Sequence, residues 1–430
     1  MTIAPQDSPL MHGLFSDPEI ARLFADTAVV RALLIVEGAL AKVQGEAGVI
    51  PADAAAYLHR ASLEVQIDPA GLAVETARNG VCIPALVAAF AKEAQAPDVT
   101  QYFHWGATSQ DIIDTGLALR LRQVLTLLGE RLDAVLILLA DLAEAHAETA
   151  MPARTYGQIA TPTTFGALVA IWGGGLLTVR DEVPGIRDAV QIVTLNGASG
   201  TLSVMGDRGP AIRAALARAL GLHDPQSSPH ADRAHMLALA GWANRVLRAC
   251  DKIAVDLLAL TRDGSVALGG GGSSSTMPQK ANPVGPSVVR ALAAHGLGHA
   301  TALQSLAPQD QRDGAAWFTE WLSLPPLLAA AGKALSVLAA TEVIPSADRF
   351  AETLSDPSGL IHAEALTFHL ARSMPRPEAA AQVKAWATDV RTNGGSLLAK
   401  AGVDPADFAP QRQWGEGPAL ARRFAEKART

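Results

Sequence analysis

Residues 112–147 read IIDTGLALRLRQVLTLLGERLDAVLILLADLAEAHA. Apolar side chains recur through this stretch at helical spacing, with charged residues set between them. Similar patterns cover 163–182, 210–220, 231–262, 286–304, 322–340, 360–373 and 377–391, and several exceed the length of an ordinary globular helix. Joined by short polar punctuations, they predict an all-α fold of long helices packed as a bundle. Upstream, Ile20, Leu23, Phe24, Val29, Leu33, Leu34, Val36 and Leu40 share one face of a helical pattern over 17–45, with Asp17-Pro18 as cap and first turn. Strand signals are few: VQIDP at 65–69 and TLSVMG at 201–206. Shifts in composition divide the chain into a helical N-terminal domain, 1–111, a central long-helix bundle, 112–355, and a helical C-terminal domain, 356–430.

At 430 residues the chain is long enough for a sizeable core, and aromatic residues at 5% favour close helix–helix approach over a thick aromatic interior. A net charge of −7 with scattered Lys and Arg leaves no basic patch to follow a nucleic-acid backbone. MTIAPQDSPLMHGLFSDPE carries acids and lacks an apolar core, so it is not a signal peptide, and a cytoplasmic location is expected. Cys82 and Cys250 are too few for a thiolate metal cluster and read as small core residues. The stretch 155–180 is uncharged until Arg180. Its Pro162, Gln158, threonines and glycines make it a buried helix of a bundle rather than a membrane span.

Four segments do not look like packing alone. In HWGATSQDIIDT, 104–115, a polar run containing Thr108 and Ser109 precedes a helical pattern. It reads as a helix N-terminus whose amides and hydroxyls suit a carboxylate, or as an ordinary cap. In ARTYGQIATPTTFG, 153–166, Arg154, Thr155 and Gln158 enter what reads as an apolar helix, so they form either a hydrogen-bond network or a ligand face. NGASGTLS, 196–203, is a small-residue turn that permits close backbone approach and is otherwise only a turn. LGGGGSSSTMPQKANPV, 268–284, couples a glycine run to Ser274, Ser275, Lys280 and Asn282 at a helix start. That combination suits a mobile lid closing over an anion. Lys280 follows Gln279 and no hydroxyl follows it, so this is not a phosphate P-loop.

Together these segments resemble the fumarase/aspartase superfamily. Its SSxMPxKxNP motif appears from Ser274 to Pro283, HxGxTSxD from His104 to Asp111, RTxxQ from Arg154 to Gln158 and GAxGT from Gly197 to Thr201, in the family's order. FSDPEIARLFADTAVVRALLIVEGALAKVQGEAGVIP near the start and GLIHAEAL, 359–366, extend the likeness over most of the chain. HWGATSQDIIDT and AAWFTEWLSLP, 315–325, place it nearest the bacterial 3-carboxy-cis,cis-muconate cycloisomerase branch. The resemblance implies a homotetramer built on the central bundle, with each active site shared by three subunits. It implies a small di- or tricarboxylate substrate, and no metal or organic cofactor. Nucleic acid and membrane are not expected partners.

The chemistry implied is addition or β-elimination next to a carboxylate, through an enediolate. The resemblance assigns the base to Ser274, flanked by Ser273 and Ser275, with Lys280 and Asn282 holding the enediolate and His104 orienting or protonating the substrate. Thr108, Ser109, Arg154, Thr155, Tyr156, Gln158, Ser275 and Met277 are the expected substrate contacts. Arg233, within SPHADRAH at 228–235, is a candidate for a substrate carboxylate or for a structural ion pair; Arg312, in QDQRD at 309–313, is a similar candidate. His295 and His299 are spaced i, i+4 but lack the HExxH carboxylate and read as a packed or solvated helix face.

Departures from the family sharpen the expectation. Adenylosuccinate lyases carry histidines in RHD and THxQ segments, whereas the matching positions here read Arg78-Asn79-Gly80 and Thr155-Tyr156-Gly157-Gln158. Expelling an amine needs a positioned acid. A lactone's leaving group is a carboxylate of pKa about 4 and departs unprotonated. The resemblance therefore implies reversible lactonisation of 3-carboxy-cis,cis-muconate to 4-carboxymuconolactone in protocatechuate (β-ketoadipate) breakdown. The alternatives are a fumarate-releasing C–N or C–O lyase and a catalytically silent relative.

Overall fold

The computed structural model describes residues 4–269, 272, 273, 277, 280–305 and 312–430. It is overwhelmingly helical, with short strands only at the edges of the helices. The helices Ser109–Ala145, Ala234–Arg262, Val284–Ser305 and Gly314–Ala339 are the long elements foreseen from apolar periodicity. The chain divides into two compact units, and the division falls inside each of these helices. One unit comprises 1–130, 181–247 and 291–334, the other 131–180, 248–290 and 335–430.

In the first unit, Asp17 accepts a hydrogen bond from the Ile20 amide at 3.1 Å and Pro18 follows it, so the expected cap is present. The helical pattern over 17–45 is broken at Ala25, whose extended backbone (ψ 146°) separates Pro18–Phe24 from Asp26–Glu46. Asp26–Glu46 packs closely on Ala52–Glu64. A Cβ on Gly45 would lie 2.2 Å from that of Ala55, so only hydrogen fits at the crossing. Leu33, Leu40, Leu58, Leu86 and Phe90 form the centre of the core, and Phe90 stacks on Phe103 at 3.9 Å between ring centroids.

Neither expected strand forms. Residues 65–68 are irregular, and Ser203–Arg208 is a 3-10 turn entered through Leu202 in a left-handed conformation (φ 54°). The helix expected over 322–340 begins earlier, at Gly314, because Asp313 accepts hydrogen bonds from the Ala315 and Ala316 amides and caps it. Gly314–Ala339 is long and apolar enough to cross a bilayer, but 56% of its apolar window is buried inside the protein and it carries Pro325 and Pro326.

In the second unit the main correction concerns 155–164. Ala150–Thr155 and Gln158–Thr164 pair as an antiparallel hairpin, and helix begins only at Phe165. Tyr156 and Gly157 both have positive φ (50° and 73°), the geometry of a tight two-residue hairpin turn. The β-branched and proline-rich TPTT run then favours extended chain over helix. Helix Phe165–Asp181 packs so closely that a Cβ on Gly166 would meet the Ala143 carbonyl at 2.4 Å, and one on Gly173 would meet the Phe424 ring at 2.0 Å. Leu366, Val383, Leu397, Leu398 and Phe408 form a separate small core near the C-terminus.

Candidate functional site

The N-terminus of Ser109–Ala145 is built around Asp111. Its carboxylate accepts from the Thr108 amide at 3.0 Å, closing the first turn as a capping box does. It also accepts from the Asn196 amide at 2.8 Å, the Gly197 amide at 2.9 Å and His230 Nε2 at 2.8 Å. Asp111 is 1% exposed, so this one side chain draws the 104–111 segment, the 196–197 turn and His230 together. With Nε2–H donating to Asp111, His230 Nδ1 accepts from Arg312 Nη2 at 2.8 Å, which makes His230 a neutral imidazole. Arg312, otherwise exposed, is aimed by this contact and by the Gly197 carbonyl at 3.4 Å.

His104 sits on the same loop in a left-handed conformation (φ 62°), and its Nδ1 lies 2.6 Å from Glu37 Oε1. Gln44 fixes the loop by donating to the Trp105 carbonyl at 2.7 Å. Burial is the largest influence on His104 and opposes its charged form. The Glu37 charge and hydrogen bond, with the Asp111 charge, outweigh it and raise the pKa. Thr108 and Ser109 are half-buried, and their hydroxyls make no hydrogen bond among the described residues. The result is an imidazole biased toward its charged form by Glu37, a guanidinium and hydroxyls without a described partner around a helix N-terminus, an arrangement suited to carboxylates.

Arg233 is corrected from a candidate ligand to a structural ion pair. It is buried, and its Nε and Nη2 donate to Glu320 at 2.8 and 2.6 Å. Its Nη1 and Nη2 reach Asp114 at 2.7 and 3.4 Å, and Nη1 also meets the Pro229 carbonyl at 3.4 Å. Burial works against its charge, but the two carboxylates overcome it and raise its pKa. No donor is left for a substrate. Asp114 also accepts from Trp317 Nε1 at 3.1 Å and Gln110 Nε2 at 3.2 Å, so the pair anchors a buried network. Neighbouring His235 is pushed down to about 4 by burial and then by Arg233, and stays neutral.

In the second unit Arg154, Thr155, Tyr156 and Gln158 cluster at the tip of the hairpin rather than on a helix. Tyr156 is fully exposed, and Arg154 pairs with Asp263 at 2.5 Å. Of the serine-glycine segment, Gly272 lies opposite Asn282 and Ser273 opposite Ala281; Met277 and Lys280 are exposed, and the Lys280 amide donates to the Met277 carbonyl at 3.0 Å. Helix follows from Val284, directly after Pro283, while Asn282 lies in the short strand that pairs with Gly272. Ser274 and Ser275 lie outside the described residues.

A lyase family model matches residues 6–298. The chain belongs to this family, the fumarase/aspartase superfamily. It is 36% identical over 382 residues to the 3-carboxy-cis,cis-muconate cycloisomerase of Pseudomonas aeruginosa, covering 86% of this chain and 83% of that protein. Among solved structures, the 3-carboxy-cis,cis-muconate lactonizing enzyme of Pseudomonas putida matches with a TM-score of 0.89 at 29% identity, over 98% of this chain and 99% of that one. A fumarate lyase from a Mesorhizobium species matches at 0.88 and 29%, over 96% and 98% of the two chains. The all-α fold and the enzyme class expected from the motifs hold.

Glu37 and the partners of Arg233 were not anticipated. A signal for Glu37 existed: it is a lone acid inside LLIVEGALA, where an unpaired charge would be costly, so a buried partner was implied. Asp114 and Glu320 carried no comparable mark, because their ion pairs to Arg233 span 119 and 87 positions and leave no trace in local spacing.

Proposed function

We propose that the protein is a 3-carboxy-cis,cis-muconate cycloisomerase, reversibly forming 4-carboxymuconolactone within protocatechuate breakdown and working as a cytoplasmic homotetramer. The observation that carries this reading is the pair of residues standing where adenylosuccinate lyases have histidines. Asn79 has no titratable proton and bonds to Glu75 at 3.4 Å; Tyr156 projects from a hairpin tip. A site furnished in this way suits a leaving group that needs no proton.

In the lactonising direction a substrate carboxylate oxygen adds to the diene, and charge builds on the carbon next to a second carboxylate. Lys280 and Asn282 stabilise that enediolate, and Ser274 delivers the proton to its carbon. His104, Arg312 and the Thr108 and Ser109 hydroxyls bind the remaining carboxylates. Glu37 raises the His104 pKa and so favours its charged form, which suits binding an anion. Arg154, Thr155, Gln158, Met277 and Ser275 are the remaining proposed substrate contacts. Mixing the purified protein with the diene should bleach its ultraviolet absorbance without added cofactor; an unchanged spectrum defeats the proposal. The second reading, a fumarate-releasing C–N or C–O lyase, is favoured by His104 if that imidazole acts as an acid, and predicts fumarate from succinyl adducts.

A further inference from the structure

Arg120 occupies an unusual position in the first unit. It lies on Ser109–Ala145, is 8% exposed, and lines a cleft of about 620 Å³ between the start of Asp26–Glu46, the Ala73–Asn79 helix and residues 320–325. The rest of the lining is mainly apolar, including Val29, Leu72, Ile113, Leu117 and Trp321. Its Nε donates to the Gly116 carbonyl at 3.3 Å within its own helix, and the guanidinium lies 5.5 Å from the centre of the Phe24 ring. No described carboxylate pairs with it.

The two acids in the lining do not supply that partner. Glu320 is engaged by Arg233, and Asp26 is exposed in the first turn of its helix. A buried cation without a counter-ion is costly, and proteins tolerate one where a ligand or function compensates. Burial accordingly lowers the Arg120 pKa to about 10, against a smaller opposing effect of Cys82. The Cys82 thiol, also in the lining, is raised by burial first, so it is a packing group and not a nucleophile near neutrality.

We propose that this cleft is a second ligand site, separate from the carboxylate-binding cluster at His104 and Arg312, that takes an apolar or aromatic monocarboxylate. The guanidinium supplies a forked, charge-assisted hydrogen bond to the carboxylate. The apolar walls and Trp321 cover the hydrocarbon body, a combination of mostly apolar lining and one placed charge that is usual for small-molecule pockets. A tricarboxylate does not fit the same chemistry, because its other charges would be desolvated against apolar walls with no partner.

The probe is 2-naphthoate, with 2-naphthamide as a neutral compound of the same shape, titrated calorimetrically into the full chain. Naphthoate should bind, and the amide should bind roughly tenfold or more weakly, as expected when a charged hydrogen bond is lost. Arg120→Met should weaken naphthoate by a similar factor while the protein stays folded, since the change removes an unpaired buried charge. Ala77→Phe keeps Arg120, fills the cleft and should cause the same loss. Naphthoate should slow alkylation of Cys82 by N-ethylmaleimide at pH 8.5, with fully buried Cys250 silent. Arg312→Ala should leave binding unchanged. The proposal is overturned if naphthoate does not bind, if both cleft variants bind it as the wild type does, or if Arg312→Ala abolishes binding. None of these readings depends on turnover of the diene.

Discussion

Replacing Arg233 with Met tests whether this arginine holds the protein or the substrate. Its guanidinium spans Asp114 and Glu320, and the side chains of all three residues are at most 8% exposed. Met keeps much of the stem volume but leaves two buried carboxylates facing one another. Removing one partner of a buried ion pair costs about 3–5 kcal/mol, because the uncompensated charge stays in a poorly solvated place. Glu320 adds a pH signature. Burial raises its pKa and Arg233 opposes that rise, so without Arg233 the Glu320 pKa moves higher still. A carboxyl with a raised folded pKa binds more protons when folded than unfolded, and stability then increases as pH falls through that range. The loss should therefore be large at pH 8 and smaller at pH 5. Arg233 itself adds no pH dependence here, since a cation whose pKa is raised loses its contribution only at pH values above the ordinary arginine range. Urea unfolding followed by circular dichroism at fixed protein concentration gives the measurement. Adding Asp114→Asn and Glu320→Gln should recover most of the loss, because no bare charge remains. Unchanged unfolding accompanied by a raised KM for the tricarboxylate would refute the structural assignment.

Further expectations follow from individual contacts. Glu37→Gln removes the charge that raises the His104 pKa, so the pH at which activity falls on the alkaline side should move down. In the folded protein the His104–Glu37 pair contributes fully below the ordinary histidine pKa of about 6.5 and is lost as pH rises through the higher folded value. NMR titration of His104 in both proteins checks the direction, and an unmoved titration would dismiss the account. Gly173→Leu drives a side chain into the Phe424 ring and should cost at least about 1–3 kcal/mol, read as faster proteolytic removal of the Gly417–Arg429 helix. Tyr156→Phe should retain most lactonising turnover, whereas a fall of about 10²-fold or more would make Tyr156 the proton donor and return weight to amine-releasing chemistry.

The parts of this protein legible in its sequence are those written in local spacing. Apolar periodicity marked the long helices, and Asp17-Pro18 marked where one of the helices begins. The hairpin at 150–164 was hidden because its deciding feature is backbone conformation: Tyr156 adopts a left-handed geometry that a non-glycine residue seldom takes, and nothing in its side chain announces it. Arg233 failed as a ligand for a different reason. An arginine in a site-like segment has the same chemistry whether its partners are substrate carboxylates or Asp114 and Glu320, and only the three-dimensional census of donors separates the two.

The same census gives the loop at 104–111 a division of labour. Asp111 has every described contact directed at protein groups, so it cannot serve as a base without releasing the Asn196 and Gly197 amides and His230. Glu37, one step behind, holds His104 from its Nδ1 side and leaves Nε2 as the imidazole's remaining polar edge. In the proposed reaction, carboxylates meet groups already prepared by their partners: His104, biased toward its charged form by Glu37, and Arg312, aimed by His230. Under the proposed function such a site favours substrates rich in carboxylates. The leaving group is indicated separately, by Asn79 and Tyr156 standing where the amine-releasing relatives have histidines.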